Sequence, residues 1–93
     1  MDNEVNEFSK NVIITNELGL HARSAAKIAQ IAKDARSKVW VVKDGEKADA
    51  GSIIDILTLA CGKGSNITVQ IDSQSDTNIL DGIVELVENG FGE

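Results

Sequence analysis

With one histidine and one cysteine in 93 residues, this chain has few ways to do chemistry. A single cysteine excludes an internal disulfide and suits a reducing compartment. One histidine and one cysteine cannot build an intramolecular Cys/His zinc site, and neither metal nor cofactor is expected. There is no P-loop sequence of two glycines with four residues between them followed by lysine and a hydroxyl residue. Gly62-Lys63-Gly64 is a lone GxG with no helix pattern behind it and reads as a turn. No apolar run approaches the roughly 20 residues of a membrane span, so no membrane insertion is expected. The first ten residues are polar and acidic, unlike a signal peptide, and a cytoplasmic location is expected. Positive charge is scarce: nine basic residues stand against fifteen acidic ones, for a net charge of −6. That balance argues against nucleic acid as a partner. The length allows one domain with a single core.

The basic residues are not spread evenly. Arg23, Lys27, Lys33, Arg36 and Lys38 lie close together, with Asp34 as the only acid among them. A basic helix on an acidic body suggests a face that meets a phosphate or an acidic protein; the plainer reading is a solvated helix face.

Periodicity divides the chain further. Residues 1–7 read as a disordered acidic extension, and residues 8–93 as the domain. Over 8–15, Phe8, Lys10, Val12 and Ile14 share the inner face of a strand. Residues 22–36 read as a helix with the stripe Ala25, Ile28, Ala29, Ile31, Ala32 and Ala35. Strands are expected over 38–43 and 46–49, joined by the hairpin turn Asp44-Gly45. Ser52 caps a short helix ending near residue 59 or 60, with Asp55 in its first turn. A strand covers 66–72, and a helix covers 76–89 with Leu80, Ile83, Val84 and Val87 inward and Gly90 as its stop. The order is βαββαβα. The expected fold is α+β, an open-faced β-sandwich: a four-stranded antiparallel sheet with three helices on one face.

His21 sits where the first strand gives way to the alanine-rich helix. A side chain there has the unpaired N–H groups of the helix start beyond it. Their positive end opposes an imidazolium and favours a negatively charged phosphoryl group on the ring. Arg23 can supply a charge-assisted contact to that group. Phosphoryl transfer needs mainly positioning and charge stabilisation, so no base or metal has to come from this chain. The alternative is a histidine that caps a helix and does no chemistry; spacing alone leaves the two level. A Cys61–His21 pair is possible on paper, but Cys61 is expected to pack at the sheet edge as a small apolar residue.

Gly19-Leu20-His21-Ala22-Arg23 followed by Ala25-Ala26 resembles the active-site signature of the HPr family, the histidine-containing phosphocarriers of the bacterial phosphoenolpyruvate-dependent sugar phosphotransferase system. Residues 47–54, Lys-Ala-Asp-Ala-Gly-Ser-Ile-Ile, resemble that family's regulatory-serine segment at matching spacing. The resemblance covers roughly residues 8–90 and implies the open-faced sandwich. It implies that His21 accepts phosphoryl on Nδ1 from enzyme I and passes it to an enzyme IIA-type acceptor. It implies that Arg23 contacts the phosphoryl group and that Ser52 is a site for an HPr kinase/phosphorylase. Ile53, Ile54 and Leu57 match the exposed docking patch, with Lys27 and Lys33 on its basic rim. The chain would be a monomeric carrier, phosphorylated and dephosphorylated by others, and not an enzyme.

Two positions depart from that pattern. Ser24 stands where the family usually has proline, in a chain that contains no proline at all. If serine merely loosens that turn, Ser24→Pro should gain about 0.4–1 kcal/mol by restricting the unfolded chain. Asp55 stands beside the docking patch where relatives carry glycine or lysine, and could weaken docking to an acidic partner. A second reading keeps the fold but makes the protein a regulatory binding module without sugar flux. A third, a small enzyme with His21 as catalyst, lacks a second catalytic group.

Overall fold

The computed structural model describes residues 8–93, and the expected extension over 1–7 lies outside the described residues. Ser9–Ile13 (β1), Val39–Lys43 (β2), Glu46–Asp49 (β3) and Asn66–Ile71 (β4) form one antiparallel sheet in the order β1-β4-β2-β3. Ala22–Ala32 (α1), Ile53–Thr58 (α2) and Thr77–Glu88 (α3) complete the βαββαβα order.

Period-two alternation sets the sheet's inner face. Val12 is paired with Ile67, and Val41 lies between Val69 and Ala48 in the sheet; all five are buried. The helices cover that face with Ala25, Ile28 and Ala32 from α1, Ile56 from α2, and Ile79, Leu80, Ile83, Val84 and Val87 from α3. Burying a side chain such as Ile28 contributes about 1.5–3 kcal/mol. The opposite sheet face is open. On it the Trp40 indole N–H donates to Asp72 Oδ1 at 3.1 Å, and the Lys47 ammonium sits 5.0 Å from the ring centroid.

Two local expectations are corrected. Phe8 precedes β1 and is 40% exposed, so the inner face begins in earnest at Val12. α1 stops at Ala32, four residues early. The Asp76 carboxylate, from the start of α3, accepts from Arg36 N–H at 2.8 Å and Ser37 N–H at 2.9 Å. Those two amides are engaged across the fold, so the segment before β2 follows α3 instead of continuing the helix. Cys61, in the loop after α2, is buried in the apolar core, as a small apolar residue would be. Its Sγ faces Leu59 O at 3.9 Å, and burial raises its thiol pKa. It makes no pair with His21.

Candidate phosphoryl-acceptor site

The loop between β1 and α1 is locked to the loop after α2. Leu20 N–H donates to Cys61 O at 2.8 Å. Gly19 has φ +65, and a Cβ there would fall 2.4 Å from Cys61 O, so only glycine fits. This contact brings the end of α2 against the approach to His21.

His21 is the N-cap of α1, with an extended backbone. Arg23 N–H donates to His21 Nδ1 at 3.3 Å. The other ring nitrogen, Nε2, lies 2.8 Å from Glu93 Oε2. A carboxylate only accepts, so Nε2 carries the hydrogen and Nδ1 presents its lone pair toward the start of α1. Both contacts require the same tautomer.

Glu93 belongs to no sequence signal used above. It reaches the ring because the chain reverses after α3 through Gly90, Phe91 and Gly92, with φ of 65, 61 and 74. Phe91 is a non-glycine residue in the left-handed region and is almost fully buried; its ring anchors the turn in the core. Lys27 Nζ donates to Phe91 O at 2.7 Å and ties the turn to α1. Asn16 completes the arrangement. Its Nδ2 donates to Gly19 O at 2.9 Å and to Glu93 Oε1 at 3.0 Å. Both partners are acceptors, so the amide nitrogen must face them, and the buried Asn16 Oδ1 is left without a partner. The Asn16 amide, and after it the His21 ring, hold the Glu93 carboxyl below the usual glutamate range against the opposing effect of burial. The ring therefore faces a carboxylate as well as the positive helix end that the local sequence suggests. A glycine pair around a phenylalanine just past a helix is the one sequence sign of such a reversal.

Ser24 corrects the expectation of a loosened turn. It is fully buried, and its hydroxyl accepts from His21 N–H at 2.9 Å. The hydroxyl hydrogen lies within reach of Gly19 O at 3.0 Å and His21 O at 3.1 Å. With the His21 ring accepting from the helix start, this is a reciprocal capping arrangement. Serine here tightens the turn.

The other expected site residues fall in two places. Arg23 is exposed; its backbone N–H meets the ring, and its guanidinium has no side-chain partner among the described residues. Lys27 of α1 is half-buried, its ammonium bound to the Phe91 carbonyl of the C-terminal turn. Lys33 is exposed at the end of α1. Ser52 caps α2, accepting from Asp55 N–H at 3.2 Å. Ile53, Ile54 and Leu57 are exposed on α2, Ile54 at 74%, while Ile56 between them is buried. Asp55 is exposed beside them. No group of three His, Cys, Asp or Glu among the described residues could hold a metal. No helix among them is long and apolar enough to cross a membrane.

Comparison with known proteins agrees with this geometry. Residues 8–89 match the family described as PTS HPr component phosphorylation site. The phosphocarrier protein HPr of Cupriavidus necator is 38% identical over 86 residues, 92% of this chain and 97% of that protein. A crystal structure of HPr-C-His from Thermoanaerobacter tengcongensis aligns with TM-score 0.85 at 34% identity, covering 91% of this chain and 96% of that one. An HPr dimer from the same organism aligns with TM-score 0.72 at 34% identity, covering 99% of this chain and 100% of that one. With its sheet order, its lone histidine capping α1 and a family match across all but its ends, the chain belongs to the HPr family of phosphotransferase-system phosphocarriers.

Proposed function

We propose that His21 is the carrier residue, accepting a phosphoryl group on Nδ1 from enzyme I and passing it to an enzyme IIA-type acceptor. The observation that carries this reading is the ring itself. Its Nδ1 lone pair points to the first N–H groups of α1, and its Nε2 is held from behind by Glu93. A phosphoryl group on Nδ1 would meet the positive end of an 11-residue helix, and Arg23, whose backbone N–H already reaches Nδ1, can turn its exposed side chain toward it. The chain supplies position and charge, and the chemistry is completed by the partner, so the protein is a phosphorylated intermediate and not an enzyme.

Partners dock on the α1–α2 side. Ile53, Ile54 and Leu57 form a small exposed apolar patch, and Lys33 with Arg23 supplies positive charge for an acidic partner. Lys27 serves this face chiefly by holding the C-terminal turn. Ser52 begins the helix that displays the patch. Its phosphorylation by an HPr kinase would add a charge of about −1.5 to −2 to a surface meant for acidic partners. The proposed carrier is cytoplasmic and works as a monomer, supported for the monomer by a ring, helix start and carboxylate that all come from one chain.

The test is incubation with enzyme I and phosphoenolpyruvate, followed by mass spectrometry. An acid-labile adduct is expected on His21 and absent from His21→Ala. Label retained in His21→Ala refutes the assignment.

A further inference from the structure

We infer that Glu93 and Asn16 are positioning residues that keep the His21 proton on Nε2 and offset the positive charge the ring gains during transfer. The inference rests on the reading of His21 as the carrier and adds a role for two residues outside its local sequence.

The geometry forms a chain of directed hydrogen bonds. Asn16 Nδ2 can only donate, and it donates to Glu93 Oε1. That contact orients the carboxylate so that Oε2 meets His21 Nε2 at 2.8 Å. The carboxylate can only accept, so the proton stays on Nε2 and the lone pair stays on Nδ1. Two further features show that the carboxylate is held there by structure. Phe91 adopts a left-handed backbone while its side chain is buried, a conformation costly for a non-glycine residue and upheld by the surrounding fold. Asn16 leaves its own buried Oδ1 unpaired in order to point its amide nitrogen at Glu93 and Gly19.

In the transfer step, the Nδ1 lone pair forms the new N–P bond. The bond from phosphorus to the donor protein's leaving atom breaks, and its electron pair remains on the donor. The Nε2 proton does not move. The ring gains one positive charge, directly opposite the Glu93 carboxylate. In the onward step the N–P bond breaks and its pair returns to Nδ1, restoring the neutral ring with its proton still on Nε2. The Glu93 carboxylate faces the ring, and the Lys27 ammonium lies near that carboxylate on the Phe91 carbonyl. Among the described residues, Glu93 is the acid paired with the ring.

A single isosteric change tests this. In Glu93→Gln the Asn16 amide takes the glutamine carbonyl oxygen, which leaves the glutamine NH₂ facing Nε2. Nε2 must then accept, and the proton moves to Nδ1, where it blocks the nucleophile. In Glu93→Ala water replaces the carboxylate and enforces neither tautomer. The 15N shifts of the His21 ring in the unphosphorylated full chain read the tautomer directly. Wild type is expected to show the Nε2–H form and Glu93→Gln the Nδ1–H form. Enzyme I-dependent phosphorylation should slow by about tenfold or more in Glu93→Gln, the scale of a lost charge-assisted contact. Glu93→Ala should fall between the two. Asn16→Ala combined with Glu93→Gln should recover part of the rate, because the freed amide can turn its oxygen to Nε2. The inference is overturned if Glu93→Gln keeps the Nε2–H form, or if it transfers as fast as wild type. A wild-type ring that takes no label overturns the carrier reading instead. In that case the tautomer comparison, made without phosphorylation, still decides whether Glu93 and Asn16 set the proton.

Discussion

Replacing Ser24 separates two accounts of the turn that carries His21. A serine that merely stands in for a helix-starting proline would make Ser24→Pro stabilising by about 0.4–1 kcal/mol. The structure gives the opposite sign. The Ser24 hydroxyl accepts from His21 N–H at 2.9 Å and has carbonyl acceptors at 3.0 and 3.1 Å, all at a fully buried position. Proline or alanine removes these bonds and leaves the His21 N–H unpaired. Losing a capping hydroxyl costs about 0.5–2 kcal/mol, and an unsatisfied buried donor lies at the upper end of that range. Ser24→Ala should therefore lose about 1–2 kcal/mol. Ser24→Pro recovers part of that through the unfolded chain and should still lose roughly 0.5–1 kcal/mol. In a domain of this size 1 kcal/mol moves Tm by about 4–8 °C, so both losses are measurable by thermal and urea denaturation. Hydrogen exchange supplies a local check, since the His21 amide should exchange faster in both variants. A Ser24→Pro protein that melts above wild type would show that the hydroxyl contacts contribute nothing and that the capping argument is wrong.

Four further outcomes are expected. Arg23→Ala should change stability by no more than about 0.5 kcal/mol, as its side chain is exposed, yet slow enzyme I-dependent phosphorylation by about tenfold or more; normal kinetics would reduce Arg23 to a solvated charge. Ser52→Asp should slow the same reaction at low salt and recover as salt rises, whereas Ser52→Ala should lose about 1 kcal/mol of cap stability and transfer normally. Asp76→Ala frees the Arg36 and Ser37 amides inside the fold and should cost about 2–4 kcal/mol in urea denaturation, while Asp76→Asn, which keeps one acceptor, should cost less. Asp49 is held below its ordinary pKa of 3.8, first by its bond to Lys38 and then by Gly51 N–H. Its contribution to stability is thus full above that value and disappears as pH falls through the lower folded one, so the stability advantage of wild type over Asp49→Asn should vanish in strong acid.

Much of this protein is legible residue by residue because its signals are local. Alternation in 66–71 and the three-to-four spacing of Leu80, Ile83, Val84 and Val87 state which face is buried, and burial follows. His21 was marked by its place at a strand-to-helix junction and Ser52 by its cap, and both do cap their helices. The remaining features depend on contacts between residues far apart in the chain, on which periodicity is silent. α1 stops short of Arg36 because a carboxylate 40 residues on takes the Arg36 amide, and the Ser37 amide after it. Ser24 could be read only as a missing proline until the loop from Asn16 to His21 closed over its hydroxyl. The carboxylate behind the imidazole lies 72 residues from it, and the amide that orients that carboxylate lies 77 from it. Local sequence therefore determined the elements and the residue able to carry a phosphoryl group. Only the tertiary fold set a carboxylate behind the ring to hold the proton on Nε2, because that partner comes from the other end of the chain.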